Sequence, residues 1–224
     1  MNRYGKISAA LIAMWFVAVG SAAALQVFKN DANQLGASVG IAATLPIVVF
    51  GVWMATSKGF REFALGLSPR ALTFSQTGRF MGVVFVILGA WGALPATFAR
   101  SAGYGDMFIG LTASLVAWKL ATVEHRGSFI FWQGLGMLDL VTAVALGVSS
   151  GILHPEGIPM TPVTTLPLSL IPTFLVPLYF IFHVICIAQA RGWRAGVVDG
   201  AHASDAAATR KLVGGGFGGR LAGS

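Results

Sequence analysis

Apolar residues along this chain gather into six long blocks separated by short polar stretches, rather than into stripes at helical or strand spacing. As a helix, each block is long enough to cross the ~30 Å hydrocarbon layer of a bilayer. Only helices and closed barrels satisfy the backbone within lipid. The pattern therefore predicts an all-α, polytopic integral membrane bundle over residues 1–190, with spans at 7–25, 35–55, 80–98, 106–122, 129–149 and 166–188.

A hydrophilic stretch between the second and third blocks, residues 57–79, combines basic side chains with apolar ones on one helical face. Its basic residues are Lys58, Arg61, Arg70 and Arg79, and its apolar face is formed by Phe60, Phe63, Ala64 and Leu67. This pattern is typical of an amphipathic helix on a membrane surface, with its basic residues towards lipid phosphates. We therefore expect residues 57–79 to form a cytoplasmic interfacial segment.

The last part of the chain, residues 191–224, is polar and then rich in glycine. Such a composition cannot bury enough apolar surface to fold by itself. We expect a disordered cytoplasmic tail.

Composition supports a membrane protein, and the basic residues give it an orientation. Hydrophobic residues make up 55% of the chain and charged residues only 10%, against about 25% charged in an average soluble domain. Cytoplasmic loops of membrane proteins collect Lys and Arg. With both termini in the cytoplasm, thirteen of the fifteen basic residues fall in cytoplasmic segments, and only Lys29 and Arg100 fall in outer loops. The net charge of +7 does not indicate nucleic-acid binding, because no dense basic run or nucleic-acid motif accompanies it.

The first block has two interpretations. Arg3 and Lys6 precede it, and it ends in residues 21–24, Ser-Ala-Ala-Ala, which also fit a signal-peptide cleavage site. Its apolar stretch is longer than the apolar region of about 7 to 15 residues in a signal peptide, and further spans follow. We favour a retained helix and keep cleavage as the alternative.

Two glycines mark the predicted connection between the third and fourth spans. Residues 101–106 contain Gly103 and Gly105 and are typical of a tight turn. That turn would place Asp106 at the N-terminus of the fourth span, where a carboxylate interacts favourably with the helix dipole. Lys119 near the other end of this span is expected to extend to the interface, with pairing to a buried acid as the alternative.

Asp139 is the most unusual residue, because it lies near the middle of the fifth span. A carboxylate at the bilayer centre costs about 2.5 to 3.5 kcal/mol on insertion scales, so it faces the bundle interior. Either it handles a proton, a cation or a polar ligand, or it makes a structural hydrogen bond to a neighbouring helix. Both interpretations stay open.

His183, towards the cytoplasmic end of the last span, is a candidate partner of Asp139. Together with His125 it raises the possibility of a bis-histidine haem, but His125 falls in a loop, so a hydrogen-bonded His183 is the better interpretation. A zinc site needs three or four ligands at suitable spacings, and the single cysteine, Cys186, has no such companions. The sequence predicts no cofactor, no metal and no catalytic nucleophile.

Prolines interrupt the sixth span at regular intervals. Pro167, Pro172 and Pro177 follow one another every five residues. A proline within a helix removes a backbone donor and strains the preceding turn. The outer half of this span is therefore predicted to be kinked or opened, with carbonyls that need partners from other helices or water.

Three functional hypotheses follow. The first is a small permease or channel that handles a proton, a cation or a small polar solute at a midplane site near Asp139. The second is an accessory or assembly subunit of a larger membrane complex, or a homo-oligomer, and a haem-binding electron carrier is a distant third. The expected surroundings are the lipid bilayer of a bacterial inner membrane, since outer-membrane spans are barrels.

Overall fold

The computed structural model of the chain describes residues 3–29, 35–153 and 157–193, and these residues form an all-α structure. The longer helices are α1 (Arg3–Ala24), α2 (Ala37–Thr56), α6 (Ala96–Lys119), α7 (Arg126–Leu153) and α9 (Val176–Gly192). The shorter ones are α3 (Lys58–Leu65), α4 (Pro69–Ser75), α5 (Val83–Ala90) and α8 (Thr161–Thr164). A 3₁₀ helix at Gln76–Gly82 joins α4 to α5, and a π-helix at Ile171–Leu175 leads into α9. His154 and the predicted tail from residue 194 onward lie outside the described residues.

Among the described residues, five helical segments are long and apolar enough to cross a membrane. They are Arg3–Ala24, Ala37–Thr56, Pro69–Ala90, Arg126–Ser150 and Ile171–Gly192. The predicted multi-pass helical membrane protein is confirmed to this extent. The 24 residues of α6 reach ~36 Å, which is also enough, but this helix is more polar than the other five. Its crossing as a sixth span stays a prediction.

Protein surrounds much of α6. It packs against α4, the 3₁₀ helix, α5 and α7. The residues that α6 buries are mostly small, among them Ala99, Ala102, Gly103, Gly110 and Ala113, and small residues let neighbouring helices approach closely. The face of α6 that packs against protein can carry polar side chains that lipid would not tolerate.

The predicted turn at 101–106 is wrong, because these residues lie inside α6. The connection between α5 and α6 is instead formed by residues 91–95. Gly92 has a positive φ of 69° there, which glycine adopts without steric cost, and Pro95 immediately precedes α6. Asp106 consequently lies near the middle of the helix and not at its N-terminus.

Gly103 was a misleading turn signal because it serves close packing instead. A side chain there would bring its Cβ to 3.0 Å from the carbonyl oxygen of Gly82, which is closer than ordinary van der Waals contact. The two glycines mark the point where α6 crosses the 3₁₀ helix. Sequence alone does not distinguish this use of glycine from a turn.

The predicted interfacial segment, residues 57–79, contains the two capped helices α3 and α4 and the start of the 3₁₀ helix. Ser57 caps α3 by accepting a hydrogen bond from the Phe60 amide at 3.3 Å, and Ser68 caps α4 with Pro69 in its first turn. From Pro69 the chain stays helical to Ala90, so the third segment long enough to cross a membrane begins earlier than the predicted span at 80–98. Thr73, Gln76 and Arg79 of this segment are buried in protein, whereas Arg70 is exposed, so the sequence pattern misassigned Arg79 to the membrane surface.

The short helix α3 is fixed to the end of α2. Nε and Nη2 of Arg61 donate to the carbonyl oxygens of Met54 and Ala55, each at 2.9 Å, and so satisfy carbonyls that the end of a helix leaves free. Phe60 stacks on Trp53 with ring centroids 3.8 Å apart. Arg61 therefore has a structural partner in the protein.

The proline-broken helix begins at Ile171 instead of residue 166. Pro167 precedes it, Pro172 lies in the π-helix and Pro177 lies in α9. Because Pro177 has no N–H, the carbonyl of Thr173 lacks its usual donor four residues on. The indole Nε1 of Trp15 on α1 donates to this oxygen at 3.2 Å. A neighbouring helix thus supplies the partner that the proline removed.

A hydrophobic core lies where the end of α1, the start of α2, α5, the start of α6 and the residues around α8 meet. It includes Val19, Val39, Phe85, Phe98 and Met160, all buried. Gly147 of α7 lets Leu35 pack close to it, and the Leu35 amide donates to the Gly147 carbonyl at 2.9 Å. The buried polar side chains of Gln76, Arg79, Gln133 and His183 lie outside this core.

Candidate functional site

Every third residue is buried along part of the helical segment Pro69–Ala90, which is called the third helical segment below. Thr73, Gln76, Arg79 and Gly82 are buried, whereas the residues between them are more exposed. A 3₁₀ helix has three residues per turn, so residues i and i+3 align along it. The 3₁₀ helix thus directs the side chains of Gln76 and Arg79 to the same side, into the bundle.

Arg79 forms the centre of a buried charged cluster. Its side chain is 1% exposed, and its Nε donates to Oδ1 of Asp106 at 2.7 Å. Its Nη2 donates to Oδ2 of Asp139, and its Nη1 lies 3.2 Å from both the Gly136 carbonyl oxygen and Nε2 of His183. One guanidinium therefore joins the third helical segment to α6, α7 and α9.

These charged groups lie at a similar depth. Arg79 is near the middle of Pro69–Ala90, Asp106 is near the middle of α6, and Asp139 is near the middle of α7. In a bilayer they would be far from both headgroup layers. Intramembrane ionisable groups are rare and usually functional.

His183 is fully buried and bonded through both ring nitrogens. Nε2 faces Arg79, and Nδ1 pairs with Oε1 of Gln133. The Gln133 amide in turn donates to Oγ1 of Thr73 at 2.9 Å. The cluster thus continues as a line of polar groups from α9 through α7 to α4.

Two glycines provide space for these side chains. A Cβ at Gly105 of α6 would collide with the Asp139 carboxylate, and one at Gly136 of α7 would collide with the His183 ring. Gly134 lies two residues before Gly136, and a Cβ added there would have nothing within 4 Å. The absence of a side chain is therefore required at Gly136 and not at Gly134.

A small pocket reaches the cluster. Its cavity volume is about 20 Å³, which is room for about one water molecule. The pocket lies between the 3₁₀ helix, α6, α7 and the proline-broken helix and is lined by Gly78, Arg79, Met81, Gly82, Asp106, Leu140, Ile171, Leu175, Val176 and Tyr179. Asp106 and Asp139 are 13% and 14% exposed against 1% for Arg79, and Asp106 is the carboxylate that lines the pocket.

The structure brings three of the four predicted ionisable residues together. Asp139, His183 and Asp106 all contact Arg79. Lys119 does not take part, because it is exposed in the last turn of α6. Of the predicted prolines, Pro172 and Pro177 belong to the helical segment that borders the pocket, whereas Pro167 precedes it.

Arg79, the residue at the centre, was predicted to lie on the cytoplasmic surface, and that prediction is wrong. Arg79 was counted among the basic residues of the cytoplasmic segments, so it did not stand out in the sequence. A signal was present in the threonine, glutamine, arginine and glycine spaced by three residues from Thr73 to Gly82. That spacing has the period of a 3₁₀ helix, so a search for residues that share one face of an α-helix does not group them.

The contacts of the histidines bear on the haem hypothesis. Both nitrogens of His183 have protein partners, so neither is free to bind iron. His125 is exposed in the loop before α7, where its Nδ1 lies 3.2 Å from the Thr122 hydroxyl. Within the described residues, no group of three or more His, Cys, Asp or Glu could hold a metal ion.

The chain belongs to a family described as "Domain of unknown function (DUF8737)", whose model matches residues 32–191. Every residue of the cluster lies within this match. No curated protein and no solved structure matches the chain.

Proposed function

We propose that this protein is a small permease or channel that binds and releases a proton within the membrane, at the carboxylates of Asp106 and Asp139. The observation that carries the proposal is the charge balance of the cluster. One buried guanidinium faces two carboxylates, so with both acids ionised the three groups carry a net charge of −1.

An unbalanced charge is unfavourable in a medium of low dielectric constant, because water is not there to screen it. A proton on one carboxyl group removes the imbalance without adding a new ion. Loss of that proton restores it. Two carboxylates that share one cation can thus alternate between two charge states in place.

The size of the pocket argues for a proton over a larger solute. About one water molecule fits beside Asp106, so a solute of several heavy atoms does not fit in this conformation. A bare Mg²⁺ or Ca²⁺ ion needs six or more oxygen ligands, and here it would also meet the positive charge of Arg79. A proton needs neither a coordination sphere nor a larger cavity.

Infrared difference spectroscopy in lipid would test the proposal directly. We expect a protonated-carboxyl band that titrates between about pH 5 and about pH 9 in the wild type, and that changes in both Asp106→Asn and Asp139→Asn. A wild-type protein without a titrating carboxyl band in this range would refute proton exchange at the site.

Glu124 provides a matched control. It is exposed in the loop before α7, and hydrogen bonds from its own backbone and from the Thr122 hydroxyl hold the pKa of its carboxyl below the usual value. A group of lowered pKa stays ionised as pH rises above that value. Glu124→Gln should therefore leave the band unchanged.

A second candidate function also has an observation in its favour. Arg79 joins four helical segments through hydrogen bonds, as an interhelical tie would in an accessory or assembly subunit. In that case the carboxyl groups would keep one protonation state throughout the titration. Stable co-purification with a larger membrane complex would then support this role.

A further inference from the structure

The hydrogen bonds that leave Arg79 towards α9 have a direction that their chemistry fixes. A guanidinium has donors and no acceptor. Its Nη1 lies 3.2 Å from Nε2 of His183, so Nε2 must accept and carries no proton. A neutral imidazole then has its hydrogen on Nδ1, and Nδ1 donates to Oε1 of Gln133.

The same logic continues beyond His183. Because the oxygen of Gln133 faces the ring, its amide nitrogen faces Thr73 and donates to Oγ1 at 2.9 Å. Oγ1 of Thr73 also lies 3.8 Å from Sγ of Cys186, where either atom can donate. The order of donors and acceptors from Arg79 to Thr73 is thus set by Arg79.

We propose that His183 and Gln133 are positioning residues of the proton site. They hold Arg79 in the one placement that bridges Asp106 and Asp139, with His183 kept as the neutral tautomer protonated on Nδ1. Each is at most 1% exposed, so water does not replace either contact. The role in positioning rests on the function proposed above, whereas the tautomer does not.

The contacts of Nη1 show why this placement depends on His183. Nη1 bonds the Gly136 carbonyl and His183, while Nε and Nη2 each bond one carboxylate. Without the ring acceptor, Nη1 would keep only the carbonyl. A doubly protonated ring would place two cations against each other at 3.2 Å, which is unfavourable in the interior.

Nitrogen-15 NMR of histidine-labelled protein in lipid would test the tautomer. The chain has four histidines, and the His183 signal is identified by its loss in His183→Gln. We expect one protonated and one unprotonated ring nitrogen, with the proton on Nδ1. A proton on Nε2, or on both nitrogens, would overturn the proposed order of hydrogen-bond donors and acceptors.

A pair of substitutions separates the two ring contacts. In His183→Gln the side-chain oxygen can occupy the place of Nε2 and still accept from Arg79. In His183→Asn the shorter amide reaches only the place of Nδ1, so Arg79 loses the acceptor. The titration of the carboxyl band is the measurement, since a merely structural role would not move it.

We expect the midpoint of that titration to stay near the wild-type value in His183→Gln and to shift by about one pH unit in His183→Asn. The same midpoint in both variants and the wild type would overturn the positioning role. Within the part of the chain that the structure describes, the titratable and charged groups that face the cluster are Arg79, Asp106, Asp139, Tyr179, His183 and Cys186.

Glycine substitutions provide a second test that removes no polar group. Gly136→Ala places a methyl group against the His183 ring, and Gly134→Ala places one in open space on the same helix. Only Gly136→Ala should shift the midpoint, and equal effects would contradict the proposal. If His183 has the expected tautomer but the wild-type carboxyl band does not titrate, the proposed function is refuted. The order of hydrogen-bond donors and acceptors from Arg79 to Thr73 would still stand.

Discussion

At the residue scale, removing only one member of the ion cluster around Arg79 should destabilise the fold. Removing one member of a buried ion pair leaves the other charge without compensation, whereas neutral replacement of all members is often tolerated. Asp106 and Asp139 are both held by the same guanidinium. The three residues should therefore behave as one unit.

We expect Arg79→Leu to reduce the free energy of unfolding by about 3 to 5 kcal/mol, because it leaves two carboxylates unpaired. The triple variant with Asp106→Asn and Asp139→Asn should recover most of this loss. Titration with a denaturing detergent measures both. If the triple variant were no more stable than Arg79→Leu, uncompensated charge would not be the cause.

Lys58→Ala is the matched control for this experiment. Lys58 pairs with Glu62 at 3.9 Å, with side chains 88% and 68% exposed. Exposed pairs contribute little to stability. Its removal should leave the unfolding transition almost unchanged.

At the element scale, the sequence identified apolar helices well and polar ones poorly. The helices with almost uniformly apolar residues, such as α1 and α2, have bounds close to the predicted ones, because a long apolar block can be recognised from composition alone. The predicted bounds of the segment at 69–79 and of α6 differ from the observed ones, because neighbouring helices accommodate polar residues in both. Those neighbours depend on packing, which no local pattern records.

The proline-broken helix gives the next prediction. Trp15→Phe should cost about 1 kcal/mol of stability, because the Thr173 carbonyl loses its donor. In a Pro177→Ala background the new N–H can bond this carbonyl, so the same substitution should cost less. A double-mutant cycle in denaturing detergent should show a coupling of about 0.5 kcal/mol or more.

Trp91→Phe serves as the control for the loss of an indole. Trp91 is 77% exposed in the connection between α5 and α6. Its substitution should have the same small effect in both backgrounds. Zero coupling between Trp15 and Pro177 would show that the indole does not replace the missing backbone donor.

At the scale of the whole molecule, α6 determines the topology. If it crosses the bilayer, the chain has six spans and both termini on one side, as the basic residues predict. Burial of Arg79 removes one residue from the cytoplasmic count and leaves twelve against Lys29 and Arg100. Because that asymmetry remains strong, we retain the six-span orientation as a prediction.

Two engineered cysteines would decide whether α6 crosses. Ala96 at the start of α6 and Glu124 in the loop that follows it are both exposed, and Cys186, the single native cysteine, can be replaced by Ala. We expect a membrane-impermeant maleimide to label Ala96→Cys only from outside and Glu124→Cys only from the cytoplasm. Labelling of both from one side would mean that α6 does not cross. Asp106 would then not lie at the bilayer midplane, and the proposed proton site would lose its low-dielectric setting.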